Sequence, residues 1–137
     1  MSQENVEIVR RAFAEVGESF TTTALGNVAR AGFVAAEAEL DFSAMYPDGL
    51  ILRGLEAWRQ YLDSLPWGLV KVIPERFFDV DDERVLVFVH VSAAGEGSGI
   101  TVENRTAYLL TIRDDAIVRW KLYAERAEAL EAAGLQE

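Results

Sequence analysis

The 137-residue sequence is half apolar and 26% charged, with a net charge of −10 and no cysteine. This is the composition and length of one ordinary globular domain. It excludes disulfides, thiol nucleophiles and thiolate metal sites, and the acidity argues against nucleic acid and anionic membranes as partners.

Met1 to Glu7 carries acids and no basic segment, so no signal peptide is expected. The apolar runs are too short and too interrupted by charge to span a membrane. Together with the missing cysteines, this predicts a cytoplasmic protein.

Val6, Val9, Phe13 and Val16 recur at helical spacing and predict a helix over 3–16, with Ser2 as cap and Gly17 as its left-handed stop. Thr21 to Thr23 offers a second cap. Leu25, Val28, Phe33 and Ala36 then predict one or two helices to about residue 38, with a break near Gly32. Leu40-Asp41-Phe42 reads as a short strand, Tyr46-Pro47-Asp48-Gly49 as a turn and Leu50-Ile51-Leu52 as another short apolar piece. From Gly54, Leu55, Trp58, Leu62 and Leu65 form one helical stripe that Pro66 ends.

Beyond that point the period changes to two. Strands are predicted over 69–80, 84–94, 100–112 and 116–124. The strand over 84–94 is so apolar that it reads as buried on both faces. Three hairpin turns join the four strands, so the sheet reads as antiparallel. A short helix over 127–133 closes the chain, with Gly134 at its C′ position. The class is therefore α+β, as a single domain over 1–137. The Gly95-Gly97-Gly99 run joins two strands and precedes no helix, so it is no phosphate loop.

Four words in this order resemble the nuclear transport factor 2-like superfamily, and within it the SnoaL-like polyketide cyclases. They are Ser2 to Phe13, the Arg53-Gly54-Leu55-Glu56-Ala57 step, Thr111 to Trp120, and Tyr123 to Leu130. The resemblance implies a cone-shaped roll: N-terminal helices on a curved antiparallel sheet of about four long strands plus short ones. It also implies a pocket inside the cone and a homodimer through the outer sheet face. Two departures stand out. Asp115 replaces the usual hairpin glycine, and the Gly17–Gly32 segment is longer and richer in Thr.

If one strand face lines the cone, the even positions Asn104, Thr106, Tyr108 and Leu110 face inward, as do Val118, Trp120 and Leu122 on the last strand. Trp58, Trp120, Asn104, Leu110 and Leu122 are therefore the expected ligand-binding residues. The expected ligand is a small, largely apolar molecule. Asp41 lies where the similar ketosteroid isomerases bear their proton-shuttling carboxylate. Between Leu40 and Phe42, its pKa would be raised by burial, as a general base requires. Tyr61 takes the place of a pocket tyrosine of those enzymes, and Tyr108 the place of their neutral hydrogen-bond-donating acid. Their first-helix donor has no counterpart at Arg11-Ala12-Phe13.

Asp41, Tyr108 and Tyr61 are thus the expected catalytic set of a cofactor-free isomerase, cyclase or hydrolase. The alternative is a non-catalytic binding or dimerisation module. Epoxide hydrolases of this fold activate water with two carboxylates bridged by an arginine; here Glu103 and Arg105 share a strand face, but by parity it is the outer one. His90, the single histidine, is expected on that face too and supports no metal cluster. Neither a metal nor an organic cofactor is expected.

Overall fold

A computed structural model describes residues 2–17, 22–45, 47–64, 67–95 and 100–135. The elements are α1 (Ser2–Val16), α2 (Thr22–Arg30), β1 (Val34–Ala44), β2 (Ile51–Arg53), α3 (Leu55–Ser64), β3 (Trp67–Asp79), β4 (Arg84–Gly95), β5 (Thr101–Arg113), β6 (Ala116–Tyr123) and α4 (Arg126–Ala133). Among the described residues no helix is long and apolar enough to cross a membrane. The expected turn residue Tyr46, the helix stop at Leu65-Pro66, the cap at Thr21 and Glu96 to Gly99 of the hairpin loop lie outside the described residues. So do the side chains of Ser2 and Trp67.

The helix α1 buries Val9, Ala12, Phe13 and Val16, one stripe at 3.6-residue period. Gly17 (φ +72°) ends it in the left-handed region, its N–H donating to the Phe13 carbonyl at 3.0 Å. The four long strands β3 to β6 form an antiparallel meander as expected. In β4, Val85 to Val89 are all buried. Val85, Val87 and Val89 pack towards the N-terminal helices. Leu86 and Phe88 join Ala129 and Leu130 of α4 on the other side.

The chain differs from expectation after residue 30. The expected helix over 33–38 is strand instead, and the sheet is mixed, in the order β2-β1-β6-β5-β4-β3. Strand β1 runs parallel to β6, pairing Val34 with Ile117 and Leu40 with Trp120. The Ile117 N–H donates to the Phe33 carbonyl at 2.7 Å. The Ala- and Glu-rich stretch 35–39 has helical propensity, but pairing with a strand some eighty residues away overrides it.

The hairpin between β5 and β6 closes on two residues, Asp114 (φ 52°) and Asp115 (φ 64°), with Arg113 paired to Ala116. Two positive φ values define the turn whose twist matches the strands, and it favours Asn-Gly or Asp-Gly. Asp115 therefore sits where a side chain costs roughly 1–2 kcal/mol, partly offset in Asp115→Gly by the greater freedom of the unfolded chain. Asp115→Gly is expected to stabilise the fold by about 0.5–1 kcal/mol in urea denaturation. A loss of stability would mean that the Asp115 side chain holds the turn.

Candidate functional site

Between the concave sheet face and α3 lies a cavity of about 270 Å³. Alternation along each strand builds its wall, because every second residue faces inward. Strands β3 and β4 supply Val70, Val72, Val91 and Ala93. Leu40 and Phe42 come from β1, and Tyr61 and Leu62 from α3. The lining residues with polar side-chain atoms are Asn104, Tyr61, Tyr108 and Trp120. No described lining residue is a carboxylate, an imidazole or an amine.

Five of the expected residues line this cavity: Tyr61, Tyr108, Asn104, Trp120 and Leu122. The ring of Tyr108 lies 5.5 Å from that of Trp120, and Phe42 lies 5.0 Å from Tyr61. On the side away from the cavity, Phe13 of α1 stacks against Tyr108 at 6.4 Å. Tyr108 is only 6% exposed. Burial pushes its phenol well above the ordinary tyrosine value, so the hydroxyl keeps its proton.

Three expectations are corrected. Trp58 does not line the cavity. It is fully buried behind it, its indole Nε1 donating to the Ala38 carbonyl at 3.0 Å and its ring edge-on to Trp120. Leu110 faces inward but belongs to the core rather than the lining. Val118 lines nothing, because a register shift in the β5–β6 pairing breaks the alternation. Ile117 and Trp120, three residues apart, therefore enter the same core.

Asp41 requires the largest correction. Its neighbours Leu40 and Phe42 both line the cavity, so its own side chain leaves the opposite face of β1. There it is fully buried. Its Oδ1 accepts the Ser43 N–H at 2.8 Å and its Oδ2 accepts from the Arg119 guanidinium at 2.5 Å. Burial pushes the carboxyl upward, but the bonds from Ser43 and Arg119 outweigh it and the net shift is downward. A general base near neutrality needs the reverse. Arg119, which the sequence reading did not single out, is the partner that decides this.

On the outer face, His90 Nε2 meets Glu103 at 3.1 Å and Arg105 lies 4.0 Å from Glu75. Glu75 also takes a bond from Arg126, at 2.6 Å. The first two pairs join strands at the partly solvated outer face, and the third ties α4 to β3. Among the described residues no group of His, Asp or Glu is arranged to hold a metal ion.

The Asp41 pair has a pH signature. Unfolded, this carboxyl titrates near 3.9; folded, it titrates lower. Its contribution is thus complete above that value and lost as pH falls through the folded pKa. Asp41→Asn should cost about 1–3 kcal/mol at pH 7 and flatten the loss of stability below pH 4, measured by urea denaturation from pH 7 to 2. An equally steep acid limb in the variant would show that the pair does not titrate this way.

No protein-family model matches the sequence, and no curated protein matches it. Solved structures do. TerC, co-crystallised with polyporic acid, superposes with a TM-score of 0.72 at 17% identity, over 96% of this chain and 98% of that one. A proposed SnoaL-like polyketide cyclase from Jannaschia sp. CCS1 gives 0.67 at 17% identity, over 98% and 94%. A protein of ketosteroid isomerase-like fold from Catenulispora acidiphila DSM 44928, in complex with trimethylamine, gives 0.64 at 22%, over 95% and 94%. The chain therefore has the α+β cone fold of the SnoaL-like, nuclear transport factor 2-like and ketosteroid isomerase-like proteins.

Proposed function

We propose that this chain binds a small, largely apolar molecule inside the cone. The observation that carries the reading is the cavity itself, walled by aliphatic and aromatic side chains with a few neutral polar groups. Two proteins of the same fold hold small organic molecules, polyporic acid in one and trimethylamine in the other. With Asp41 committed to Arg119 on the opposite face, proton abstraction has no described base in the cavity. Binding without turnover is thus the better account, and the tyrosines orient the ligand.

The neutral, polarity-sensitive dye 6-propionyl-2-dimethylaminonaphthalene is a suitable probe. Its emission should shift to the blue with saturable binding. Ala93→Phe, which places a ring in the cavity, should weaken that binding at least about tenfold, equivalent to ~1.4 kcal/mol. Undiminished dye binding by the folded variant would rule out the cavity as the site.

We further propose a cytoplasmic homodimer through the outer sheet face. Ile73, 42% exposed, pairs there with His90 beside the Glu75, Glu103 and Arg105 charges. Sedimentation velocity at micromolar concentration should give a dimer, and Ile73→Asp a monomer. A wild-type monomer would refute this interface.

A further inference from the structure

We infer that a groove between α1 and the edge strand β3 is a second binding site, and that it takes an aliphatic carboxylate of medium length, the chain along the groove and the carboxylate on Arg10. The site is separate from the cone cavity and does not rest on the reading of that cavity.

Two local devices build the groove. Arg10, Phe13, Ala14 and Gly17 stand at i, i+3, i+4 and i+7, so they form one stripe along α1, about 10 Å long. Opposite them, β3 is the last strand of the sheet and presents Val72, Pro74 and Phe77. Strict alternation from Val72 and Pro74 would turn Phe77 to the outer face. A bulge prevents this. Pro74 pairs with Val89 and Arg76 with Phe88, so Glu75 is the extra residue and Phe77 returns to the inner face beside Val87. Its ring meets that of Phe13 edge-on at 6.2 Å. Between stripe and strand lies an open space of about 450 Å³. Ala14 and Gly17 leave it clear: a Cβ at Gly17 would meet none of the described residues within 4 Å.

Charge complementarity picks the occupant. Among the described lining residues only Arg10 has a polar side chain. Its guanidinium lies over the Phe77 ring at 4.4 Å, a contact that uses the flat face and leaves the in-plane N–H groups to other partners. Among the described residues it has no ion pair and no hydrogen bond. Its neighbour Arg11, by contrast, holds Glu7 at 3.2 Å. Glu7 and Asp79 line an adjoining groove with Arg10 and Phe77, yet neither bonds to Arg10. The result is a cation with free donors at one end of an apolar trough. The guanidinium fork matches the two oxygens of a carboxylate. Val72, Pro74 and Ala14 are aliphatic, and Arg10 already covers the Phe77 ring, so the trough suits a hydrocarbon chain better than a stacked aromatic one. An added peptide strand does not suit this edge, because Pro74 brings no N–H to it and the bulge interrupts the ladder there.

The test is a proton–nitrogen NMR titration of wild type, Arg10→Gln, Ala14→Phe and Ala93→Phe with octanoate and with octanol, its uncharged counterpart. Octanoate should move the amides of Arg10, Ala14, Gly17 and Phe77 together in wild type. The same set should move in Ala93→Phe, whose cone is filled. At that set wild type should bind octanoate about 3–10-fold more tightly than octanol, the worth of one charge-assisted contact at an exposed site. Arg10→Gln should remove this preference, and added salt should reduce it in wild type. Ala14→Phe, which fills the trough from an exposed helix position, should weaken both ligands at least about tenfold. Octanoate shifts confined to Val91, Ala93 and Asn104, and lost in Ala93→Phe, would put the ligand in the cone and overturn the groove as a site. Equal affinity for the two ligands, or a preference for octanoate that survives in Arg10→Gln, would overturn Arg10 as the partner of the carboxylate. An absence of shifts with octanoate would overturn the inference outright and leave the cone reading untouched.

Discussion

The alternation of side chains along β1 decides what kind of cavity this protein has. Leu40 and Phe42 point into the cone, so Asp41 between them must leave the other face. Its buried carboxylate is held there by Arg119, from the strand that runs parallel beside it. The paired rows repeat the same division. Glu39 lies beside Arg119 and Asp41 beside Lys121, while Leu40 lies beside Trp120. A one-residue slip would exchange these faces, burying charge in the cone and exposing its wall. It would also separate a buried carboxylate from its cation, which costs several kcal/mol. The ion pair thus does its work on register, and register fixes the wall.

With Asp41 on the opposite face, the described residues that line the cone are all neutral. An apolar cavity strengthens each hydrogen bond formed within it and raises the cost of each one left unmade. Under the proposed binding role, orientation of a ligand falls to very few atoms. Aromatic contacts hold those atoms still. Phe13 stacks on Tyr108 from the α1 side, and Trp120 lies 5.7 Å from Phe13 and 5.9 Å from Trp58. The indole of Trp58 is itself tied to β1 through Ala38. Its part is therefore to brace the wall, although its place on the α3 stripe makes it look like a ligand contact.

Much of this was legible in the sequence, because local periodicity reports local structure. The α1 stripe, the four-strand meander, the buried β4 and the Gly134 cap all depend on neighbours close in the chain. What was not legible depends on distant partners. Residues 34–38 read as helix because their strand partner lies at Ile117. Val118 was assigned inward because parity counting cannot see a register shift between β5 and β6. Asp41 is a different case, since its signal was present. Two apolar neighbours destined for the core oblige the residue between them to face away. Arg119 could have been found from Asp41 only by knowing that β1 and β6 are adjacent.

The inner face of β5 shows how a single strand sets several environments in sequence. Val102 is 40% exposed, Tyr108 is 6% and Leu110 is 0%. The same face thus runs from the mouth of the cone to its closed end. Alternation places Asn104, Tyr108 and Leu110 on that face, but it carries no information about depth. Depth comes from the helices, which cover the far end and leave the near end open. Leu110 accordingly became core, while Tyr108, two residues nearer the mouth, became the last side chain before the seal. A polar group at that position is placed unlike one at the rim. Water can reach the rim and satisfy Asn104, whereas the Tyr108 hydroxyl opens onto a space walled mainly by apolar side chains.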